Sequence, residues 1–457
     1  MRKKISLNGR EIYLKSNENL IEKLLELGVS FVLPCGGKGI CKKCKVNLTY
    51  EDGRKEEALL CQIKDLSNVR EIDLPEDNFK LTEEIEPEFS FEIDDPFGID
   101  RKSAVDLGTT SIAIANITGT KVTKKIRITN PQVLYGRDII SRCNDNITDR
   151  LRRITLNTLK NNCEGELIAI SGNTVMQGII RGEDIEKLKK YPFDLGKRDF
   201  TILKENDKTI LILPEIGGFL GGDAVSLALL STLFEGVTIA IDIGTNTEII
   251  LKSKDGIVAT SVPAGSALEG GKIKYGTGPI EGAICKVKPD LKVETIGNKQ
   301  PIGFCGSGII SAIGVLKEIG FIDEKGTLLV GSEIILGGIP IYQDDIREVQ
   351  LAKSAIYSAI KLLMKISNLR KVEKVIIAGN LGYHIDKKYL FNLRIFPDEL
   401  EESEIVYVGN SSLWGAKWAL LSTEVQRKMR EIVQRTKRIE LTMEKDFMNY
   451  YLEGMNL

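Results

Sequence analysis

The stretch SAVDLGTTSIAIANI at residues 103–117 returns as IAIDIGTNTEIIL at residues 239–251. Each copy is an apolar strand ending near an aspartate, a glycine with polar or hydroxyl neighbours, and a second alternating strand. One copy alone would be an ordinary hairpin. Two copies with the same flanks make an internal repeat on the scale of half a domain, and point to a pair of related α/β lobes. In each, the glycine permits a tight turn whose backbone N–H and hydroxyl groups can point at phosphate oxygens. Gly108, Thr109 and Thr110 in the first copy, and Gly244, Thr245 and Asn246 in the second, are therefore candidate nucleotide-binding residues. Asp106 and Asp242 end their strands toward the same space and would hold water around Mg²⁺. No Walker A sequence competes, and neither CGSGIIS nor GTGPIEG meets the dinucleotide fingerprint.

A second feature lies near the N-terminus, where PCGGKGICKKC (residues 34–44) is followed by Cys61 in ALLCQ. The gaps between Cys35, Cys41, Cys44 and Cys61 approach the plant-type [2Fe-2S] spacing, with a first gap longer by one residue. Gly36, Gly37 and Gly39 suit a loop that wraps a cluster, because they accept positive φ and let backbone N–H groups approach. A four-cysteine zinc site would usually bring two CxxC knuckles, and only one is present. The other four cysteines, Cys143, Cys163, Cys285 and Cys305, are scattered and read as small buried apolar residues.

Composition narrows the chemistry further. The single histidine, His384, removes Ser/His/Asp hydrolases, Cys/His proteases and multi-histidine zinc sites, so a general base is expected to be a carboxylate. Eight cysteines in a chain without a secretory leader pattern argue for metal or redox use rather than a disulfide framework. A net charge of −1 gives no reason to expect nucleic acid. No apolar run reaches membrane-spanning length, so the expectation is a soluble cytoplasmic protein without a membrane partner.

The cysteine segment is flanked by signals of a β-grasp ferredoxin domain. KKISLNGREIYLK forms two alternating runs about Asn8-Gly9, a hairpin signal. Leu20, Ile21, Leu24 and Leu25 recur at helical spacing, and KVNLTY and VREIDLP read as further strands. From Glu76 to Asp100, acidic residues and prolines interrupt every period, which predicts an extended tether with occasional anchors. The expected organisation is a [2Fe-2S] domain over 1–78, a linker over 79–100, one nucleotide-binding lobe over 101–235, and a second over 236–457 with a C-terminal helical tail.

With its duplicated loops the chain resembles the superfamily of acetate kinase, sugar kinases, the heat-shock chaperone ATPase and actin, whose ribonuclease H-like lobes close on ATP. In that pattern VDLGTTS looks like the first phosphate loop, IDIGTNTE like the second, and VIIAGNLG (375–382) like the adenosine loop, with Gly379, Asn380 and Gly382 beside the nucleotide. GFLGGDAVSLALL (218–230) is similar in position to the first connecting helix, which makes Asp223 the candidate to orient an attacking water. GFCGSGIISAIGVL resembles the connecting segment before the adenosine loop, with Gly306 and Ser307 near the nucleotide.

Along nearly the whole chain, the ferredoxin segment together with NPQVLYGRDIISR, SGNTVM, FCGSGIISA, DIREVQLAKSAI and VGNSSLWGA resembles the reductive activators of corrinoid proteins. The resemblance implies ATP-dependent return of a corrinoid methyltransferase component from Co(II) to Co(I). It also implies a [2Fe-2S] cluster, ATP and Mg²⁺ as cofactors. An upstream low-potential electron donor is a further expected partner, and a homodimer is left open. The chain departs from the family's usual pattern at Asn380 and Leu381 in the adenosine loop, and at Thr247 in the second phosphate loop. The alternatives are an ATP-coupled reductase of another low-potential metalloprotein and a small-metabolite kinase with an iron-sulfur sensor domain. The loop TSVPAGSALEGGKIKYGTG (260–278) is expected at the surface, as a plain surface loop or as one that faces a partner.

Overall fold

The computed structural model describes residues 2–15, 19–26, 29, 37, 39–40, 42, 44–74, 86–135, 145–379 and 385–457. At the N-terminus, Asn8 and Gly9 both take positive φ (45° and 77°) and turn strand Arg2–Leu7 into Arg10–Lys15. Alternation then decides the faces: Ile5, Leu7, Ile12 and Leu14 are buried. Lys4, Glu11 and Tyr13 are exposed. The sheet order is Arg10–Lys15, Arg2–Leu7, Val69–Asp73, Lys45–Tyr50, Lys55–Leu59, with Arg2–Leu7 parallel to Val69–Asp73. This is the β-grasp order, with helix Leu20–Glu26 adding Leu20, Ile21 and Leu24 to the core. The edge strand Lys55–Leu59 escapes sequence reading because KEE is polar and exposed, a composition that blunts an edge against pairing.

The repeat is carried through to the tertiary level. Strand Arg101–Leu107 pairs antiparallel with Ser111–Thr118, which pairs antiparallel with Lys121–Thr129, while Leu167–Gly172 lies parallel on the other side. Thr238–Asp242, Thr247–Ser253, Gly256–Val262 and Lys374–Ala378 repeat this pairing in the second six-stranded sheet. Helices Gly222–Ser231 and Ser411–Leu421 are almost wholly buried. They share one core with Ala104, Ala169 and Leu211 of the first sheet and Ala240, Ile250 and Ile376 of the second. Helices that are apolar on every side have to be covered on every side, which is why they lie between the sheets. Gly415 lets them approach closely, since a Cβ there would meet Ser226 Oγ at 2.1 Å.

The anchors expected along the tether are present in its described part. From Glu86 onward the segment is docked. Phe91 packs against Trp414 and Trp418 at ring-centroid distances of 5.8 and 5.7 Å. The Phe89 carbonyl accepts from Trp414 Nε1 at 3.0 Å, and Glu86 pairs with Lys417 and Lys125 at 2.5 and 3.0 Å. Spaced aromatics in an acidic stretch are anchors once a complementary apolar face exists. Trp414 is fully buried. Trp414→Ala is expected to cost about 3–5 kcal/mol, seen as a lowered thermal midpoint and faster proteolysis after residue 86.

Candidate functional site

The two lobes face each other across a cleft of about 1080 Å³, counted with its open mouth. The twin strand ends bring Asp106 and Asp242 to it, and both glycine turns follow. Gly108 is required in its turn because a Cβ would sit 2.8 Å from the Ser111 carbonyl. Asn130 fixes that turn, its amide donating to the Gly108 carbonyl at 2.7 Å. The two turns nearly touch: Thr110 Oγ1 lies 3.2 Å from Thr245 Oγ1. The amide nitrogen of Asn246 is buried at the cleft and has no hydrogen-bond partner among the described residues. Such a donor fits an anionic ligand.

The remaining expected residues reach the cleft from three further elements. Asp223 lies in the first turn of helix Gly222–Ser231, and Gly306 and Ser307 open helix Gly306–Glu318, whose free N–H groups favour negative charge. Gly379 follows strand Lys374–Ala378 at φ 80°, and a Cβ there would stand 2.5 Å from Asp242 Oδ1. The structure thus brings together Asp106, Gly108, Thr109, Thr110, Asp223, Asp242, Gly244, Thr245, Asn246, Gly306, Ser307 and Gly379. Asn380, Gly382, Cys35, Cys41, Cys143 and His384 lie outside the described residues.

The carboxyl groups interact strongly. Burial, then the neighbouring Asp106 charge, pushes Asp242 up to about 7, opposed by the Ser411 hydroxyl. Burial holds Asp223 well above the usual carboxylate range, with Asp106 and Asp242 adding to it and the Ala224 N–H opposing. Glu248 is raised for the same reasons, burial first and then Asp223 and Asp242. A cleft in which several carboxylates repel one another favours a cation or a shared proton.

Several cleft residues carried no assigned role from sequence. Asn410 donates to Asp106 Oδ2 at 2.9 Å and caps helix Ser411–Leu421 by accepting from Leu413 N at 2.8 Å. Ser411 donates to Asp242 Oδ2 at 3.3 Å. Asn173 plays the matching part in the first lobe, donating to Thr109 Oγ1 at 3.1 Å and capping helix Thr174–Arg181. A legible signal existed: both stand in a Gly-Asn-Thr/Ser run between a strand and a helix, an N-cap signature. Arg127, donating to Ser111 Oγ, and Glu269, accepting from Thr245 Oγ1, left none. Asn410→Ala, which removes one hydrogen bond to the Asp106 carboxylate and the cap of its helix, is expected to destabilise the protein by about 1.5–3 kcal/mol, measured as a lowered denaturant midpoint.

Glu269 also corrects the reading of residues 260–278 as a loop facing outward. Ala264, Ala267, Leu268 and Ile273 bury into the second-lobe core, and the loop forms part of the cleft wall. Among the scattered cysteines, Cys163 and Cys305 are buried as expected, but Cys285 is half-exposed and Cys305 lines the cleft.

At the edge of the N-terminal sheet, Cys44, just before strand Lys45–Tyr50, and Cys61, in the turn Leu60–Gln62, meet with their sulfurs 3.3 Å apart and form no disulfide. Gly37 and Gly39, in the loop between Cys35 and Cys41, take positive φ of 80° and 76°. Gln62 braces this loop, its amide donating to the Gly37 carbonyl at 3.0 Å. Among the described residues no three His, Cys, Asp or Glu side chains form a ready-made metal-binding group, and no helix is long and apolar enough to cross a membrane.

The chain is 26% identical over 571 aligned positions to the corrinoid activation enzyme RamQ of Eubacterium limosum, covering 96% of each. It is 27% identical over 410 positions to the [Co(II) methylated amine-specific corrinoid protein] reductase of Methanosarcina barkeri, covering 76% of this chain and 75% of that protein. A solved structure titled reductive activator for corrinoid,iron-sulfur protein superposes with a TM-score of 0.71 at 23% identity, over 99% of this chain and 98% of that one, and so shares its fold. Residues 102–235 match the RACo middle region and residues 236–457 the C-terminal domain of RACo, the ASKHA domain. With these consecutive segments and relatives, the chain belongs to the RACo family of reductive activators of corrinoid proteins.

Proposed function

We propose that this protein uses ATP to drive one-electron reduction of a corrinoid methyltransferase component from Co(II) to Co(I). The observation that carries the reading is the meeting of the Cys44 and Cys61 sulfurs, at 3.3 Å, in the same chain as a two-lobed nucleotide cleft. The glycines at 37 and 39 suit a ferredoxin-type loop, and the two paired sulfurs fit two corners of a four-cysteine set. Cys35, Cys41, Cys44 and Cys61 would hold a [2Fe-2S] cluster, which supplies one-electron transfer at about −400 mV.

The cleft fits ATP and Mg²⁺ by its donor set. Thr109, Thr110, Thr245, the orphaned Asn246 amide and the Gly306 turn would face phosphates, with Gly379 beside the nucleoside. Asp106 and Asp242 would hold Mg²⁺ through water, the usual mode for an ion that keeps much of its hydration. Asp223 would orient the attacking water. An organisation into 1–78, 79–100, 101–235 and 236–457 follows, with an upstream low-potential donor reducing the N-terminal domain.

An uphill gap on the order of 100 mV corresponds to roughly 2.3 kcal/mol for one electron. Lobe closure can supply this if it changes how tightly the Co(II) and Co(I) forms of the partner are held. The test follows visible spectra of a Co(II) corrinoid methyltransferase component under anaerobic conditions with a low-potential donor. Co(I) that forms only with Mg-ATP supports the reading. An intact cluster and working hydrolysis without Co(I), across several partners, would sink it in favour of another metalloprotein acceptor. A phosphorylated metabolite would point to a kinase.

A further inference from the structure

We propose that Arg127 is a catalytic residue of the cleft, and that its guanidinium stabilises the charge on the terminal phosphate while that group leaves the nucleotide. The inference deepens the proposed nucleotide chemistry and rests on it. Five carboxyl groups line the cleft, those of Asp106, Asp223, Asp242, Glu248 and Glu269, and Arg127 is the one cationic side chain among the described residues that line it. A nucleotide triphosphate brings further negative charge to such a site, and a metal ion has to be shared among all of these groups. An arginine suits the remainder, because its planar fork can donate to two phosphate oxygens at once. The fold mounts this side chain firmly. In strand Lys121–Thr129, Arg127 stands opposite Ala113, on the face that Ser111 shares. Its Nε and Nη2 both donate to Ser111 Oγ, at 3.3 and 3.0 Å. Asn130 then ties the end of this strand to the first glycine turn at two points, its amide donating to the Gly108 carbonyl at 2.7 Å and its backbone N–H to the Thr110 carbonyl at 2.9 Å. Arg127 and the first turn therefore form one unit.

The position of that unit identifies which phosphate it serves. Ser111 follows Thr110, whose hydroxyl lies 3.2 Å from that of Thr245 in the second turn. Thr245 in turn donates to Glu269. Arg127 and Glu269 thus flank the meeting point of the two turns from opposite lobes. Electrostatics agrees: burial raises both Asp242 and Glu269, and the Arg127 charge opposes the rise at each, so its field reaches the second lobe. A phosphate chain gripped by both turns has its reacting end beside the place where they converge. In hydrolysis the bond from the terminal phosphorus to the bridging oxygen breaks, and its electron pair leaves with the diphosphate. The water oxygen bonds to phosphorus, and the water's proton passes to the Asp223 carboxylate. Charge in the transition state is spread over the equatorial oxygens of the terminal group, and a fixed cation beside them stabilises it more than it stabilises bound substrate. Ser111 is then a positioning residue, which acts by fixing the fork.

The test uses the full-length protein and reads kcat and KM for Mg-ATP together with calorimetric affinities for Mg-ADP, with and without aluminium fluoride, which mimics the phosphoryl group in flight. Arg127→Ala is expected to lower kcat about 10²–10³-fold, the range for one preorganised donor at developing charge, with KM changed less than about threefold. Its affinity for Mg-ADP should hold, while its affinity for the aluminium fluoride complex falls about as far as kcat. Arg127→Lys, which keeps the charge and loses the planar fork, is expected to fold like the wild type and to show the same selective loss at about a tenth of the size. Ser111→Ala should lower kcat about tenfold, the scale of one hydrogen bond to a charged group. A side chain that merely props the turn would weaken both complexes alike, and that result would overturn the proposal. So would a wild-type kcat in Arg127→Ala, or a KM that rises while kcat holds. A wild type that binds no nucleotide would overturn the proposed function itself, and calorimetry reads that before any variant is compared.

Discussion

Cys44→Ser or Cys61→Ser is expected to abolish Co(I) formation while leaving Mg-ATP hydrolysis close to wild type. The sulfurs converge at 3.3 Å at the edge of the N-terminal sheet, remote in sequence from every residue that lines the cleft. Loss of an outer-shell partner of a metal site already costs about 10–100-fold, so loss of a direct ligand should exceed that. The check combines the visible spectrum of the purified variant, which should lose the cluster's absorption, with parallel assays of Co(I) and phosphate release. Co(I) formed at a normal rate would show that these cysteines hold no electron-transfer cluster. Loss of both activities would mean that the N-terminal domain supports the cleft's structure as well as electron delivery. Cys163→Ser makes a control, since that buried thiol, pushed up to about 12 by burial, faces neither site.

Asp223→Asn is expected to reduce the kcat of ATP hydrolysis by about 10²–10⁴-fold, the usual range for a positioned acid or base, with little change in KM. Burial makes this carboxyl more basic than an ordinary aspartate, and its ionised form is therefore lost at higher pH than usual as the solution is acidified. The wild-type rate should accordingly fall as the solution is acidified, starting at a higher pH than an ordinary aspartate would set, and residual activity of the asparagine variant should lack that limb. A variant in which KM rises and kcat holds would reassign Asp223 to binding. Asp242→Asn should behave differently, raising the Mg²⁺ concentration needed for half-maximal rate, because it removes the negative charge proposed to hold the ion through water.

The cysteines of the first prediction were legible from local spacing, whereas Asp223 of the second was picked out only by its position in the resemblance to the two-lobed superfamily. A glycine turn between two alternating strands encodes itself within about a dozen residues, so Asp106, Gly108, Asp242 and Gly244 could be placed before any tertiary contact was known. The same holds for the Asn8-Gly9 hairpin. Asn173 and Asn410 were half-legible: their capping pattern is local, but the donation from Asn410 to Asp106 spans 304 positions. Glu269 and Arg127 were not legible, because a single charged residue in a loop or on a strand carries no mark of where it will point.

By itself, then, the sequence determined the duplicated α/β halves, the carboxylate and glycine chemistry at their strand ends, and the cysteine spacing, all properties of short-range periodicity and turn stereochemistry. The tertiary structure decided what those pieces do to one another. It chose Trp414 as the seat for Phe89 and Phe91, the anchors of the tether, and it folded residues 260–278 inward to bring Glu269 onto Thr245. It also set Ile40 against Cys305, which lines the cleft. Such contacts depend on burial of apolar surface between segments far apart in the chain, and that non-directional force leaves no periodic trace in either segment.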